Sequence, residues 1–233
     1  GERVAVKVFS KKKLSDDDRE ALRSELEILK QIDHPNIVRL IDAYEDERHV
    51  CFVIELMSGG ELFEKVLELD QFSEADARNC IKALVDAVRY IHDMGIVHRD
   101  IKPENMLIPT SEFDFRTVKL ADFGLARFFT TGNNEEEAFA STTCGTPGYI
   151  APEILKQQRY NQQCDCWSIG IVAFVLLSGS FPFYHEDNVK LFDLIKKCKY
   201  DFDDAAWDTV SVEAKDFISN LLVGEPDKRL TCS

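Results

Sequence analysis

The chain has 233 residues, 45% of them hydrophobic, and carries 28 basic against 42 acidic side chains for a net charge of −14. That is enough apolar material for one large domain or two small lobes around a cleft, and it argues against intrinsic disorder. The acidic balance argues against nucleic acid or an anionic membrane as partner; it either attracts cationic peptides or serves solubility alone.

Val4, Val6 and Val8 alternate with Ala5, Lys7 and Phe9, the period of a strand with one face buried. From Ser15 the pattern becomes helical: Ser15 to Asp18 offers caps, and Leu22, Leu26 and Leu29 recur on one side. His34-Pro35-Asn36 is expected to break that helix. Ile37 to Leu40 and Val50 to Leu56 read as two more strands, with Glu45 to Arg48 as the turn between them. After Ser58-Gly59-Gly60 the chain turns largely helical. Ser73-x-x-Asp76 predicts a capping box, and Ala77, Ile81, Leu84, Val88 and Ile91 form one apolar stripe. Asp165 to Leu177 is apolar all round, as in a helix buried in a core. Amphipathic helices are expected near Asp187 to Lys197 and Ser211 to Leu222. A few strands followed by many helices predict an α+β chain with segregated layers. The expected division is a small strand-rich lobe over 1–57 and a helical lobe over 58–233.

The seven cysteines are scattered without a zinc-type pair, which favours reduced thiols in a cytosolic protein. There is no signal peptide, and the longest apolar run, Ile169 to Leu177, is too short to span a bilayer. The expected compartment is the cytoplasm, with the nucleus as a second one. Lacking an initial Met and stopping soon after Arg229, the sequence reads as a piece of a longer protein.

Three blocks occur in order: His98-Arg99-Asp100-Ile101-Lys102-Pro103-Glu104-Asn105, then Asp122-Phe123-Gly124, then Ala151-Pro152-Glu153. With Val4-Ala5-Val6-Lys7 ahead of them, their order and spacing match a signature set for phosphoryl transfer. The chain resembles a eukaryotic-type Ser/Thr protein kinase over its whole length. Pro182-Phe183-Tyr184, Lys190-Leu191-Phe192, Tyr200 to Asp203, Trp207 and Ala214 to Ile218 narrow the resemblance to the calcium/calmodulin-dependent group. It implies a bilobal fold, ATP with magnesium, and protein substrates carrying arginine before the acceptor. It also implies calmodulin bound through a segment outside this sequence and an upstream activating kinase.

Carried over residue by residue, the resemblance makes Lys7 a phosphate contact held by Glu25, and Asp100 the group that accepts or orients the hydroxyl proton. Lys102 stabilises the transferring phosphate; Asn105 and Asp122 hold magnesium, since hard oxygen ligands suit that ion. Ile54 guards the back of the adenine pocket, whose edge meets the backbone of Glu55 and Met57. Glu61 reaches the ribose and, with Glu104, a substrate arginine. Gly145-Thr146-Pro147 and Asp-x-Lys-x-x-Asn point to serine and threonine rather than tyrosine, with Thr146 near Asp100 and Lys102; Leu125 mildly favours serine. Thr142 matches a regulatory phosphothreonine whose phosphate pairs with Arg99. His98, Phe123, Leu29 and Leu40 are expected in an apolar stack, Glu153 and Arg229 as a buried ion pair, and Asp165 as the anchor of the catalytic loop.

Gly1 directly precedes the lysine strand, so the glycine-rich loop and its two strands are not in this sequence. The expectation is a segment at most feebly active by itself, with an apolar edge on the Val4 to Phe9 strand. The alternative is an inactive kinase-fold scaffold that binds partners. Retention of every catalytic residue in the covered region favours the enzyme.

Overall fold

A computed structural model describes residues 3–68, 72–112, 114–129, 145–158 and 160–232. The architecture is α+β. Strand β1 (Val4–Ser10) leads into helix α1 (Asp16–Gln31), and β2 (Leu40–Glu45) and β3 (His49–Glu55) complete an antiparallel sheet of order β1–β3–β2. The register runs from Val4 opposite Glu55 to Ser10 opposite His49. Alternation decides which face of β1 looks inward. Val4, Val6 and Val8 are exposed, whereas Ala5, Lys7 and Phe9 are half-buried and the Phe9 ring packs 5.3 Å from Phe52. The apolar surface expected at an edge is therefore a row of valines on one face.

Ser15 caps α1 with a full capping box: its Oγ accepts from the Asp18 amide, and the Asp18 carboxylate accepts from the Ser15 amide. The helix ends at Gln31, before the His34-Pro35 break, and buries Leu22, Glu25, Ile28 and Leu29. One strand differs from its expected position. Ile37 and Val38 are buried outside β2: Ile37 bridges Leu120 in parallel and the Val38 amide donates to the Leu120 carbonyl. Apolar character here marks a crossing between two parts of the chain rather than the start of a strand, and β2 begins at Leu40.

Past residue 57 the chain is mostly helical. A short β4 (Gly60–Glu61) runs into α2 (Leu62–Leu67), followed by α3 (Glu74–Asp93) and β5 (Ile96–Val97). Then come β6 (Met106–Ile108), β7 (Lys119–Leu120) and β8 (Arg127–Phe128), which close two further small sheets of order β4–β6–β7 and β5–β8. Gly59 is required by close approach: a Cβ there would meet Ile108 Cγ2 at 2.5 Å and the Thr110 carbonyl at 2.6 Å. The box expected at Ser73 is half formed, since its Oγ accepts from the Asp76 amide but the carboxylate of Asp76 turns to that hydroxyl.

Helices α4 (Pro152–Leu155), α5 (Gln163–Ser178), α6 (Asn188–Lys197) and α7 (Val212–Leu221) follow, the last two capped by Asp187 and Ser211. Helix α5 is buried along nearly its whole length, as its uniformly apolar sequence requires, and forms the axis on which α3 and α7 pack. Among the described residues no helix is long and apolar enough to cross a membrane, and six cysteines are free thiols.

Candidate active site

The loop between β5 and β6 carries Asp100, Lys102 and Asn105, and it is held from behind by one buried carboxylate. Asp165, near the start of α5, accepts from the His98 amide through Oδ2 and from the Arg99 amide through Oδ1, both at 2.9 Å. His92 Nε2 lies 2.9 Å from Asp165 Oδ2. Burial opposes the Asp165 charge, yet these bonds, led by that of His92, hold its carboxyl below the usual value. The anchoring matters because Arg99 sits at φ 69° and Asp122 at φ 61°, a region that side chains rarely adopt. Such backbone costs on the order of 1–2 kcal/mol per residue and persists only where surrounding bonds impose it.

Three side chains then close on one another. Lys102 Nζ lies 2.8 Å from Asp100 Oδ2 and donates to Thr146 Oγ1 at 2.9 Å, while the Thr146 hydroxyl donates to Asp100 Oδ1 at 3.2 Å. Gly145 makes that approach possible: its φ is +111°, and a Cβ would lie 3.1 Å from the Arg99 carbonyl. Asn105 Nδ2 donates to the Asp100 carbonyl at 2.8 Å and to Asp100 Oδ2 at 3.2 Å. With both amide hydrogens committed to Asp100, the Asn105 amide oxygen is the group left for a cation.

In front of this loop lies a cavity of about 200 Å³ lined by Lys7, Glu25, Ile54, Asn105, Asp122 and Phe123, among others. Lys7 Nζ stands 3.7 Å from Glu25 Oε1 and 3.7 Å from Asp122 Oδ1, so one ammonium joins β1, α1 and the Asp122 turn. Burial raises the Glu25 pKa; Lys7 opposes the shift and the Asp122 charge adds to it. The cavity therefore gathers Lys7, Asn105 and Asp122. Asp100 and Thr146 line an adjoining cleft of about 10 Å³, linked to the cavity through Asn105.

The remaining expected residues fall in various places. Glu104 lines the cavity beside Leu29 and Leu107. Glu55 commits its side chain to Lys119, at 2.8 and 3.0 Å, and to the Arg39 amide at 2.6 Å. Met57 and Glu61 are not among the cavity-lining residues; Glu61 is half-buried at the N-terminus of α2, and the Met57 carbonyl accepts from the Gly60 amide at 3.4 Å. The Arg99 guanidinium donates to the Leu125 carbonyl and the Tyr160 hydroxyl, while Thr142 lies outside the described residues, as does Glu135 to Glu137. His98 is fully buried, with its ring 4.8 Å from Phe123 and its Nε2 3.2 Å from the Ala121 carbonyl. Burial lowers its pKa, which keeps it neutral and packed against Phe123. Glu153 and Arg229 pair in two places, at 2.8 and 2.9 Å, with their side chains almost wholly enclosed.

His92 is the residue that motif reading passed over. A signal for it existed, because Leu84, Val88 and His92 continue one face of α3 at four-residue steps, placing a titratable ring on a buried stripe. No comparable signal marks Lys119 or Tyr160.

Compared with known families, the protein kinase domain matches residues 1–233. The chain belongs to the protein kinase domain family. It is 43% identical over 229 residues to the calcium/calmodulin-dependent protein kinase type 1 of Macrobrachium nipponense, covering 98% of this chain and 64% of that protein. The namesake from Caenorhabditis elegans is 42% identical, with 100% and 64% covered, and a probable myosin light chain kinase of Dictyostelium discoideum is 41% identical, with 100% and 58%. The chain thus spans less than two thirds of the length of these relatives. Within the two juxtaposed groups, Lys7, Asp100, Lys102, Asn105 and Asp122 fall on the signature blocks of the sequence, and Glu25 and Thr146 join them in space.

Proposed function

We propose that this chain is the catalytic part of a serine/threonine protein kinase that transfers the γ-phosphate of ATP to hydroxyls of arginine-bearing proteins. The observation that carries the reading is the junction at Asn105, which joins the Lys7–Asp122 cavity to the Asp100–Lys102–Thr146 cluster. The division into a partial N-lobe over 1–57 and a C-lobe over 58–233 belongs to the same proposal.

The residues fit magnesium and a polyphosphate. Asp122 and the Asn105 amide oxygen are hard oxygen donors that would hold the ion, and Lys7 is the cation beside them. Bound magnesium supplies positive charge against phosphate oxygens. Asp100 takes the proton of the acceptor hydroxyl, assistance typically worth about 10²–10⁴ in rate. Lys102 balances charge beside it, and Thr146 fixes the Asp100 carboxylate and marks a serine or threonine site. Glu25 keeps Lys7 in place. Ile54 and the backbone of Glu55 and Met57 form the adenine end, with Glu61 for the ribose. Glu61 and Glu104 are the carboxylates for a substrate arginine, in keeping with the net charge of −14.

Regulation follows the relatives. Thr142 receives phosphate from an upstream kinase and Arg99 pairs with it, while calmodulin acts through a segment of the longer protein, in the cytoplasm or nucleus.

One experiment tests these roles: peptide phosphorylation by the full-length protein, with arginine-containing and arginine-free peptides, with and without calcium–calmodulin. Asp100→Asn and Asp122→Asn are each expected to lower turnover at least 100-fold with the thermal midpoint little changed. Wild-type rates in either variant overturn the reading. Thr142→Ala is expected to abolish activation by an upstream kinase, and unimpaired activation removes that part alone.

A further inference from the structure

Cys166 and Cys232 stand 66 residues apart in the chain, yet their sulfurs are 3.6 Å apart. Cys166 is in the fully buried part of α5, one residue after the Asp165 that anchors the catalytic loop; Cys232 follows Arg229 in irregular backbone. His92 is the third member of the group, and the ligating atoms of all three lie within 4.8 Å of one another. None of these thiols has a part in phosphoryl transfer. The contact brings together two oxidisable groups from distant parts of the sequence.

We propose that Cys166 and Cys232 form a redox modification site, which a peroxide-class oxidant closes to a disulfide that staples the segment after Arg229 to α5. Two sulfurs in van der Waals contact need a contraction of about 1.5 Å to reach bonding distance. Helix α5 is held by neighbours all round, so the irregular backbone around Cys232 supplies the movement. Cys232 is 9% exposed, against 1% for Cys166, and gives a small oxidant its way in. A hydrogen bond from the Cys232 thiol holds the Cys166 pKa below the ordinary thiol value, with His92 adding to it against the effect of burial. The same bond, with burial, pushes the Cys232 pKa up. The contact thus makes Cys166 the sulfur of the pair that ionises first.

The chemistry balances. The Cys166 thiolate attacks the peroxide, forming an S–O bond as the O–O bond breaks, and hydroxide leaves. The Cys232 thiol then attacks that sulfur, forming the S–S bond as the S–O bond breaks, and its proton leaves with the second hydroxide as water. The first hydroxide takes up the proton that Cys166 released on ionising, so two thiols lose two electrons and hydrogen peroxide becomes two waters; a dithiol reverses the change. A metal is the competing use of the same atoms. Three ligand groups fall one short of the four that a structural zinc takes, whereas the disulfide needs only the two already in contact.

The test treats the full-length protein with hydrogen peroxide, alkylates the remaining thiols, and maps peptides by mass spectrometry without reduction. The expected result is one cross-linked peptide pair containing Cys166 and Cys232, two hydrogens lighter than the free thiols and released by dithiothreitol. Closing so long a loop is expected to raise the thermal midpoint by about 5–10 °C, reversibly. Cys166→Val and Cys232→Ser should each abolish both effects; the second alters a partly accessible site at the end of the described chain. Full alkylation of both thiols after peroxide overturns the proposal, as does a cross-link from either to another cysteine. One equivalent of retained zinc that shields both thiols from peroxide overturns it in favour of a metal site.

Discussion

Glu25 carries its charge where water gives little help: its side chain is 7% exposed and the ammonium of Lys7 stands 3.7 Å away. Burial raises its pKa above 4.5, so the folded chain keeps this proton to a higher pH than the unfolded chain does. The sign follows. The stability that protonation of Glu25 contributes is complete below 4.5 and is lost as pH rises through the higher folded value. Glu25→Gln removes this loss. Wild type and variant are expected to melt at similar temperatures near pH 4, with the gap moving toward the variant as pH rises to 7. In the kinase reading the same variant loses at least tenfold in turnover, because Lys7 is no longer held. Thermal melts across that pH range decide it: a gap that moves toward the wild type instead would mean that the Lys7–Glu25 attraction exceeds the burial cost.

At the scale of elements, α5 serves the loop of Asp100, Lys102 and Asn105 through Asp165, whose two oxygens receive consecutive backbone amides. An asparagine keeps one acceptor and loses the charge. Hydrogen bonds to charged groups are worth about 1.5–3 kcal/mol each. Asp165→Asn is therefore expected to speed hydrogen exchange at the His98 and Arg99 amides by about 10–100-fold and to lower turnover at least tenfold. Unchanged exchange at both amides would assign the loop's left-handed turn at Arg99 to something other than this anchor. Such elements differ in how openly the sequence declares them. Helix α5 is legible because a run with no polar side must be surrounded, α1 because capping side chains fix its start, and α6 and α7 because their apolar residues keep to one side. Strand β2 is not: Ile37 and Val38 look like strand residues, but their apolar side chains are used where the chain crosses Leu120. That Lys7, Asn105 and Asp122 would come together was legible through motif spacing, and they line one cavity. His92 was legible only as a residue of the buried face of α3, because its partner is a carboxylate 73 residues away.

For the molecule as a whole, one long-range constraint is the buried pair between Glu153 and Arg229, separated by 76 residues. Glu153 lies in α4, directly after the segment that carries Gly145 and Thr146, and Arg229 follows the last described helices. The guanidinium also donates to the carbonyls of Gln163 at 2.5 Å and Val223 at 2.9 Å and lies 5.3 Å over the Trp167 ring. Helix α4, the first turns of α5 and the chain just after α7 thus meet at one side chain that solvent barely touches. A buried ion pair is weak evidence for net stability, since desolvation offsets much of the attraction. Removing one partner is different, because the other is left charged and enclosed. Arg229→Ala is expected to cost about 3–5 kcal/mol, a fall in thermal midpoint of roughly 6–20 °C for a chain of this size. Replacing both partners by apolar residues of similar length, Glu153→Leu with Arg229→Met, should cost less than the arginine change alone. Calorimetry of the double variant and of its two single changes, Glu153→Leu and Arg229→Met, separates the two causes: a double variant as unstable as the sum of its single changes would mean that the pair acts by packing and carbonyl bonds, with no coupling between the charges.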